Sequence, residues 1–295
     1  MKNKSSLTSL LYLLPSLSGV VFFDLAPFAD VIKRSFHDDM CRRFVGMENY
    51  AKLFQSRSFL LAGKNTLCFI LCSTPLLLAL SLCLAVLLHQ QAQAHTSRSS
   101  LSAAYLLPLA LPVASLTGIW NILFHEYGLL NALLNCFHLP KTDWINTSAS
   151  MLVVTATYLW RNLGYTTILW LAGLSGIDPL LYEAAALDGA DTKKQFFCLT
   201  IPLLKPLGFT VSVLAILNTF RVFRDIYLIS GDYPNQSIYM LQHLLNNWFT
   251  NMQFGKITAA ALVILFTTGW LVIGLQLSFS IQKQRRHYGQ TDSSA

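Results

Sequence analysis

The chain has 295 residues, of which 54% are hydrophobic and only 12% charged, with a formal net charge of +7. A charged share about half of the roughly 25% usual in soluble domains excludes an ordinary soluble enzyme and indicates a polytopic membrane protein. The excess of base does not indicate nucleic acid, because the Lys and Arg residues are scattered through loops and form no stripe interleaved with aromatics.

A spanning helix needs about 20 mostly apolar residues. In chain order the spans expected are Leu7–Ile32, Thr66–Leu88, Leu101–Phe124, Met151–Leu174, Leu207–Ile229 and Ile257–Phe279. The first follows Lys2 and Lys4 as a signal peptide would. It is too long for one and ends at no small-residue cleavage site, so it is expected to be retained. Pro15, Pro27, Pro75, Pro108 and Pro112 fall inside spans, which bundled membrane helices tolerate when neighbours satisfy the freed carbonyls. The expected fold class is all-α, a six-helix transmembrane bundle. Residues 1–65 hold the first span and an external loop, 66–286 a transmembrane core, and 287–295 a tail.

Between the fourth and fifth spans lies a short polar, helix-forming segment, residues 178–206. Asp178-Pro179 reads as a helix start, an N-cap carboxylate followed by proline at the first helical position. Leu180–Leu187 is strong helix former throughout. Asp188-Gly189 then stops the helix, since glycine takes the left-handed conformation that an exit requires. A second short amphipathic helix, Thr192–Leu199, is expected to end before Pro202, which cannot donate to the helical ladder.

Six cysteines are present (Cys41, Cys68, Cys72, Cys83, Cys136 and Cys198), most of them in or beside apolar or helical runs, where cysteine acts as a small hydrophobe. They form no C-x-x-C pair and no zinc spacing with the dispersed histidines, so no metal site is indicated. Whether Cys41 and Cys136 pair is left open. Ionisable residues inside spans are costly and are functional candidates by default; here they are Asp24, Arg161, Arg221, Arg224 and Asp225. Asp24 reads as a hydrated position towards a helix end, and Arg161 as a structural anchor. Asn218, Arg221 and Arg224 form the more suggestive cluster, since residues three apart share a helical face and could line a polar substrate pathway. The competing reading is that Arg224 and Asp225 only anchor the helix at the interface. Trp120, Trp160 and Phe223 read as packing residues. No G-x-x-x-x-G-K-[ST] loop is present, so the chain binds no ATP through a P-loop of its own.

The polar segment closely resembles the EAA loop of ATP-binding-cassette importer permeases, through Glu183-Ala184-Ala185, Asp188-Gly189-Ala190, Leu199 and Ile201-Pro202. The likeness extends along the chain: Gly46-Met47-Glu48-Asn49-Tyr50, Asn65-Thr66, Leu107-Pro108, Trp120, Tyr127-Gly128-Leu129-Leu130-Asn131, Trp160-Arg161 and Phe254-Gly255. Together these are similar to carbohydrate permeases of the maltose/glycerol-phosphate type, specifically the first of the two permease subunits. One departure is Gly231-Asp232-Tyr233-Pro234, where the family often has Gly-Gly-Gly-Pro.

The resemblance implies a type I importer permease fold and a non-catalytic transporter subunit for a sugar or related small solute. Glu183, Ala184, Ala185, Asp188, Gly189, Ala190 and Pro202 would form the loop that docks on an ATPase dimer. ATP and Mg would be used by that ATPase, with no cofactor on this chain. The other implied partners are a second permease, expected to be a different chain, an extracytoplasmic solute-binding protein, and membrane lipid. The location implied is the bacterial cytoplasmic membrane, with both termini cytoplasmic. Charge alone does not fix that orientation. The inner segments carry Lys2, Lys4, Arg98, Lys193, Lys194, Lys205, Lys283, Arg285 and Arg286. The first external loop carries Lys33, Arg34, Arg42, Arg43, Lys52, Arg57 and Lys64, so the positive-inside rule is nearly neutral. The alternative function is a self-contained secondary transporter coupled to an ion gradient. It calls for inverted repeats and a midplane ion site, and neither a convincing repeat nor paired acids in the spans are found. A membrane-embedded enzyme would need clustered His, Asp or Ser at helix ends, and none is seen.

Overall fold

The computed structural model describes residues 12–94, 108 and 111–291. Apart from one isolated bridge between His37 and Phe44, the regular structure of these residues is helical. In chain order the helices are α1 (Tyr12–Ser35), α2 (Glu48–Gln55), α3 (Arg57–Ala94), α4 (Val113–Phe124), α5 (Leu129–Cys136), α6 (Ser150–Ser175) and α7 (Pro179–Leu187). They continue with α8 (Thr192–Gln195), α9 (Ile201–Thr219), α10 (Val222–Ser230), α11 (Leu241–Thr250) and α12 (Phe254–Thr291).

Among the described residues, four helical stretches are long and apolar enough to cross a membrane: Tyr12–Ser35, Arg57–Gln91, Thr192–Ser230 and Phe254–Phe279. α6 has 26 residues, long enough to span, but is less apolar. Thr157, Asn162, Thr166 and Thr167 are among its many buried residues, and each hydroxyl or amide bonds a carbonyl one turn back. A helix covered by protein rather than lipid has no need of a fully apolar surface. Of the expected third span, residues 101–107, 109 and 110 lie outside the described residues, as do Lys2, Lys4, Arg98 and the side chains of Gln282–Arg286.

Two expectations at the fifth span are corrected. The segment from Thr192 does not stop before Pro202. A π-helical turn, Phe196–Thr200, links α8 directly to α9, and the Ile201 amide donates to the Phe196 carbonyl, five residues back. The wider turn carries the Cys198 carbonyl away from the pyrrolidine ring of Pro202, which in a regular α-helix would clash with it. The same device recurs in α1. Val21–Leu25 is π-helical, the Ala26 amide bonds the Val21 carbonyl, and Pro27 follows. The second correction is that the span is not one helix. It breaks at Phe220-Arg221, and α10 restarts with Arg221 as its N-cap. The break falls before Arg221, so Arg221 and Arg224 stay three apart on the first turn of α10, where the Arg224 amide donates to the Arg221 carbonyl at 3.2 Å.

The chain divides into two compact units, Met1–Leu60 with Leu244–Gly269, and Leu61–His243 with Trp270–Ala295. In the first, a knot of polar contacts ties two distant stretches. The Asn49 side-chain amide donates to the Ser35 and His37 carbonyls at 2.9 and 2.7 Å, and the Tyr50 hydroxyl donates to Ser35 Oγ at 2.9 Å. Gly255 lies against this knot. Its amide donates to Asp39 at 2.9 Å, and a Cβ there would meet Asn49 Nδ2 at 2.9 Å and the His37 carbonyl at 3.0 Å.

Among its described residues the second unit has two apolar clusters. One gathers Phe69, Leu77, Val154, Tyr158, Ala215, Val222, Ile226, Ile238 and Met240. The other gathers Ala85, Trp170, Leu174, Leu204 and Val211. Two buried polar groups bond across helices here: Tyr158 donates to the Ala215 carbonyl and Trp170 Nε1 to Ser81 Oγ. Asparagines pin the connections. Asn65 holds the Gln236 and Tyr239 carbonyls, and the Leu241 amide donates to Thr66 Oγ1. Asn131 donates to the Glu126 and Thr142 carbonyls and accepts from the Thr142 amide and Trp144 Nε1. All six cysteines are free thiols, Cys41 and Cys136 among them.

Candidate functional site

The segment after α6 forms as its sequence requires. Asp178 caps α7, accepting from the Leu180 amide at 2.9 Å, with Pro179 at the first helical position. At the far end the Ala190 amide donates to the Ala185 carbonyl at 2.9 Å and the Gly189 amide to the Ala186 carbonyl at 3.0 Å. This paired closure needs a left-handed residue between the helices, and Gly189 supplies it at φ +76°. Asp191 then caps α8 through the Lys194 amide, while the Gln195 side chain donates to the Ala190 carbonyl. The Tyr182 hydroxyl meets Thr200 Oγ1 at 2.9 Å and braces the two arms.

Within this helix–turn–helix, Glu183, Ala184, Asp188 and Gly189 are exposed, and Ala185, Ala190 and Pro202 are partly buried. Sequence reasoning passed over the most protruding apolar side chain: Leu187, at the turn, is 90% exposed. Leu180 and Phe197 are also open. Behind the turn a cavity of about 350 Å³ is lined by His89, Gln90, Tyr182, Glu183 and Gln195, among others.

A second cavity, of about 700 Å³, surrounds the α9–α10 break and brings together the expected cluster of Asn218, Arg221 and Arg224. The sequence did not reveal the partner of Arg161, which is 64 residues away. Arg161 Nη1 meets the Asp225 carboxylate at 2.9 Å, with both side chains about four-fifths buried. Asp225 is thus engaged across helices by Arg161. Tyr158, Asn162 and Tyr165 complete the polar lining. Phe223, also in the lining, packs edge-on against His243 at 4.7 Å. His243 lies outside the spans and is fully buried, and burial pushes its imidazole down to about 4, so it carries no charge at neutral pH. Trp120 and Trp160 meet edge-to-face at 5.2 Å, as packing residues do. Asp24 falls in the π-turn of α1 and is exposed.

No protein-family model matches the chain. It is 30% identical over 286 residues to the trehalose/maltose transport system permease protein MalF of Thermococcus litoralis, covering 93% of this chain and 96% of that one. It is 25% identical to the osmoprotective compounds uptake permease protein GgtC of Synechocystis over 94% of this chain and all of that one. Its fold matches a chain of a bacterial alginate ABC transporter, solved in complex with an alginate pentasaccharide-bound periplasmic protein. The TM-score is 0.78 at 19% identity, over 92% of this chain and 93% of that one. The chain belongs to the permeases of binding-protein-dependent ATP-binding-cassette importers for sugars and related solutes, membrane subunits that are not themselves catalytic.

Proposed function

We propose that residues 178–206 are the docking element for a cytoplasmic ATPase dimer, and that the chain is the first of two different permease subunits. The observation that carries the reading is the exposed turn itself: Glu183, Leu187 and Gly189 stand out on a pair of capped helices closed by hydrogen bonds. Small Ala184 and Ala185 allow a partner helix or groove to come close. Both termini lie in the cytoplasm, and an external solute-binding protein delivers the solute to a pathway lined by Asn218, Arg221 and Arg224. ATP and Mg act in the ATPase. Nucleotide binding there favours one arrangement of the permease through differential affinity for two states, and continuous helix from Thr192 through α9 passes the movement into the membrane.

Purification of the tagged chain in mild detergent, with mass spectrometry of its partners, tests this reading. An ATPase and a second permease should accompany the wild type, with the ATPase lost from Glu183→Lys. A chain that purifies alone and still transports on an ion gradient would overturn the reading in favour of a secondary transporter.

A further inference from the structure

The cavity at the α9–α10 break holds an unbalanced charge. Three guanidinium groups, Arg161, Arg221 and Arg224, face one carboxylate, Asp225, which leaves two positive charges in excess. The ion pairing decides which two. Asp225 is held by Arg161, whereas Arg221 and Arg224 are exposed and make no side-chain hydrogen bond or contact ion pair among the described residues, Arg224 acting on Asp225 only as a nearby charge. α10 contributes in the same direction, since it begins at Arg221 with no side chain capping its amides, and a helix N-terminus favours negative charge. Uncompensated arginines within a span are expensive to keep. A guanidinium binds carboxylate or phosphate through two parallel hydrogen bonds, which a neutral sugar cannot match.

We propose that the solute passing this cavity is anionic, a sugar acid or sugar phosphate whose carboxylate or phosphate is bridged by Arg221 and Arg224. Asn218, Asn162 and Tyr165 are the uncharged groups available to its hydroxyls. The Arg161–Asp225 pair has a positioning role: it keeps the carboxylate of Asp225 from occupying the two arginines that the solute needs. The proposal rests on the permease reading above and adds to it the charge of the cargo.

The test uses the intact complex in phosphatidylcholine nanodiscs, titrated with glucuronate, glucose 6-phosphate and glucose while tryptophan fluorescence is followed. Both anions should bind about tenfold or more tighter than glucose, and added salt should weaken them. The double variant R221Q/R224Q should erase the preference, and R221K/R224K should keep part of it. A normal gel-filtration profile and a retained ATPase subunit establish that each variant is folded. Equal binding of the three probes, no binding of any, or a preference that survives R221Q/R224Q would overturn the proposal. So would a native anionic phospholipid retained by the wild type and lost from R221Q/R224Q without any sugar preference, which assigns the arginines to a lipid headgroup. The permease reading is scored separately. A complex containing an ATPase but showing no anion preference removes only the charge assignment, whereas a preparation without an ATPase removes the docking element itself.

Discussion

Gly189 sits at φ +76° with open space where a Cβ would stand. Gly189→Val therefore costs about 1–2 kcal/mol through backbone strain alone, not through a clash. The chain should still purify as a monodisperse species but without its ATPase; Gly189→Asn, which tolerates the left-handed region, should keep it. Gly255 is the opposite case, because its Cβ would strike Asn49 and the His37 carbonyl. Asn49→Ala removes two hydrogen bonds from a buried knot and should cost about 1–3 kcal/mol, read as a lower unfolding temperature in detergent. His243 gives a pH signature. Its folded value of about 4 lies below an unfolded value near 6.5, so the unfolded chain takes up the proton first. Stability is complete above about pH 6.5 and is lost progressively down to about pH 4. Thermal unfolding measured between pH 7.5 and 5 should show this slope, and His243→Phe should flatten it. At this scale Glu183 and Gly189 were legible because caps and turns are local chemistry. The partners of Asp39 and Arg161 were not, because Gly255 and Asp225 come near only once the chain has folded.

Among the elements, the two π-turns show what a proline rule misses. Pro27 and Pro202 each follow a widened turn instead of ending a helix. Propensity states the conflict between ring and carbonyl but not that one extra residue per turn resolves it. Pro202→Ala restores a donor and removes the ring, so the π-turn can tighten into α register. One residue of register is about 100° of helix rotation, which would turn α7 and α8 relative to α9. ATP hydrolysis by the complex should then respond more weakly to the loaded binding protein while expression is unchanged. The Asp178 cap is a simpler matter: Asp178→Ala should cost about 1 kcal/mol of local helix stability, seen as faster amide exchange over Leu180–Glu183. The break at Phe220-Arg221 was hidden for a different reason. The residues around it are apolar enough to read as one span, and only the arginines hinted that the helix opens onto a polar space.

For the molecule as a whole, hydropathy gave the class, all-α and multi-spanning, and underdetermined the count of spans. α6 escapes the apolarity criterion because protein, not lipid, covers much of it. Orientation was the least legible property, since basic residues sit on both sides of the first span. Single-cysteine variants on a cysteine-free background give a direct reading. Glu183→Cys should react with an impermeant maleimide only in inside-out vesicles, and Lys141→Cys only in right-side-out ones. The knot between Asp39, Asn49 and Gly255 has a bearing on how the protein is made. Its two sides are 216 residues apart in sequence, from Asp39 to Gly255, so nothing can close it until the ribosome has delivered the start of α12. Throughout most of translation Asp39 waits for the Gly255 amide. A chain stopped short of residue 254 keeps that side of the knot open, and such unfinished permeases should be cleared by membrane proteases faster than full-length ones.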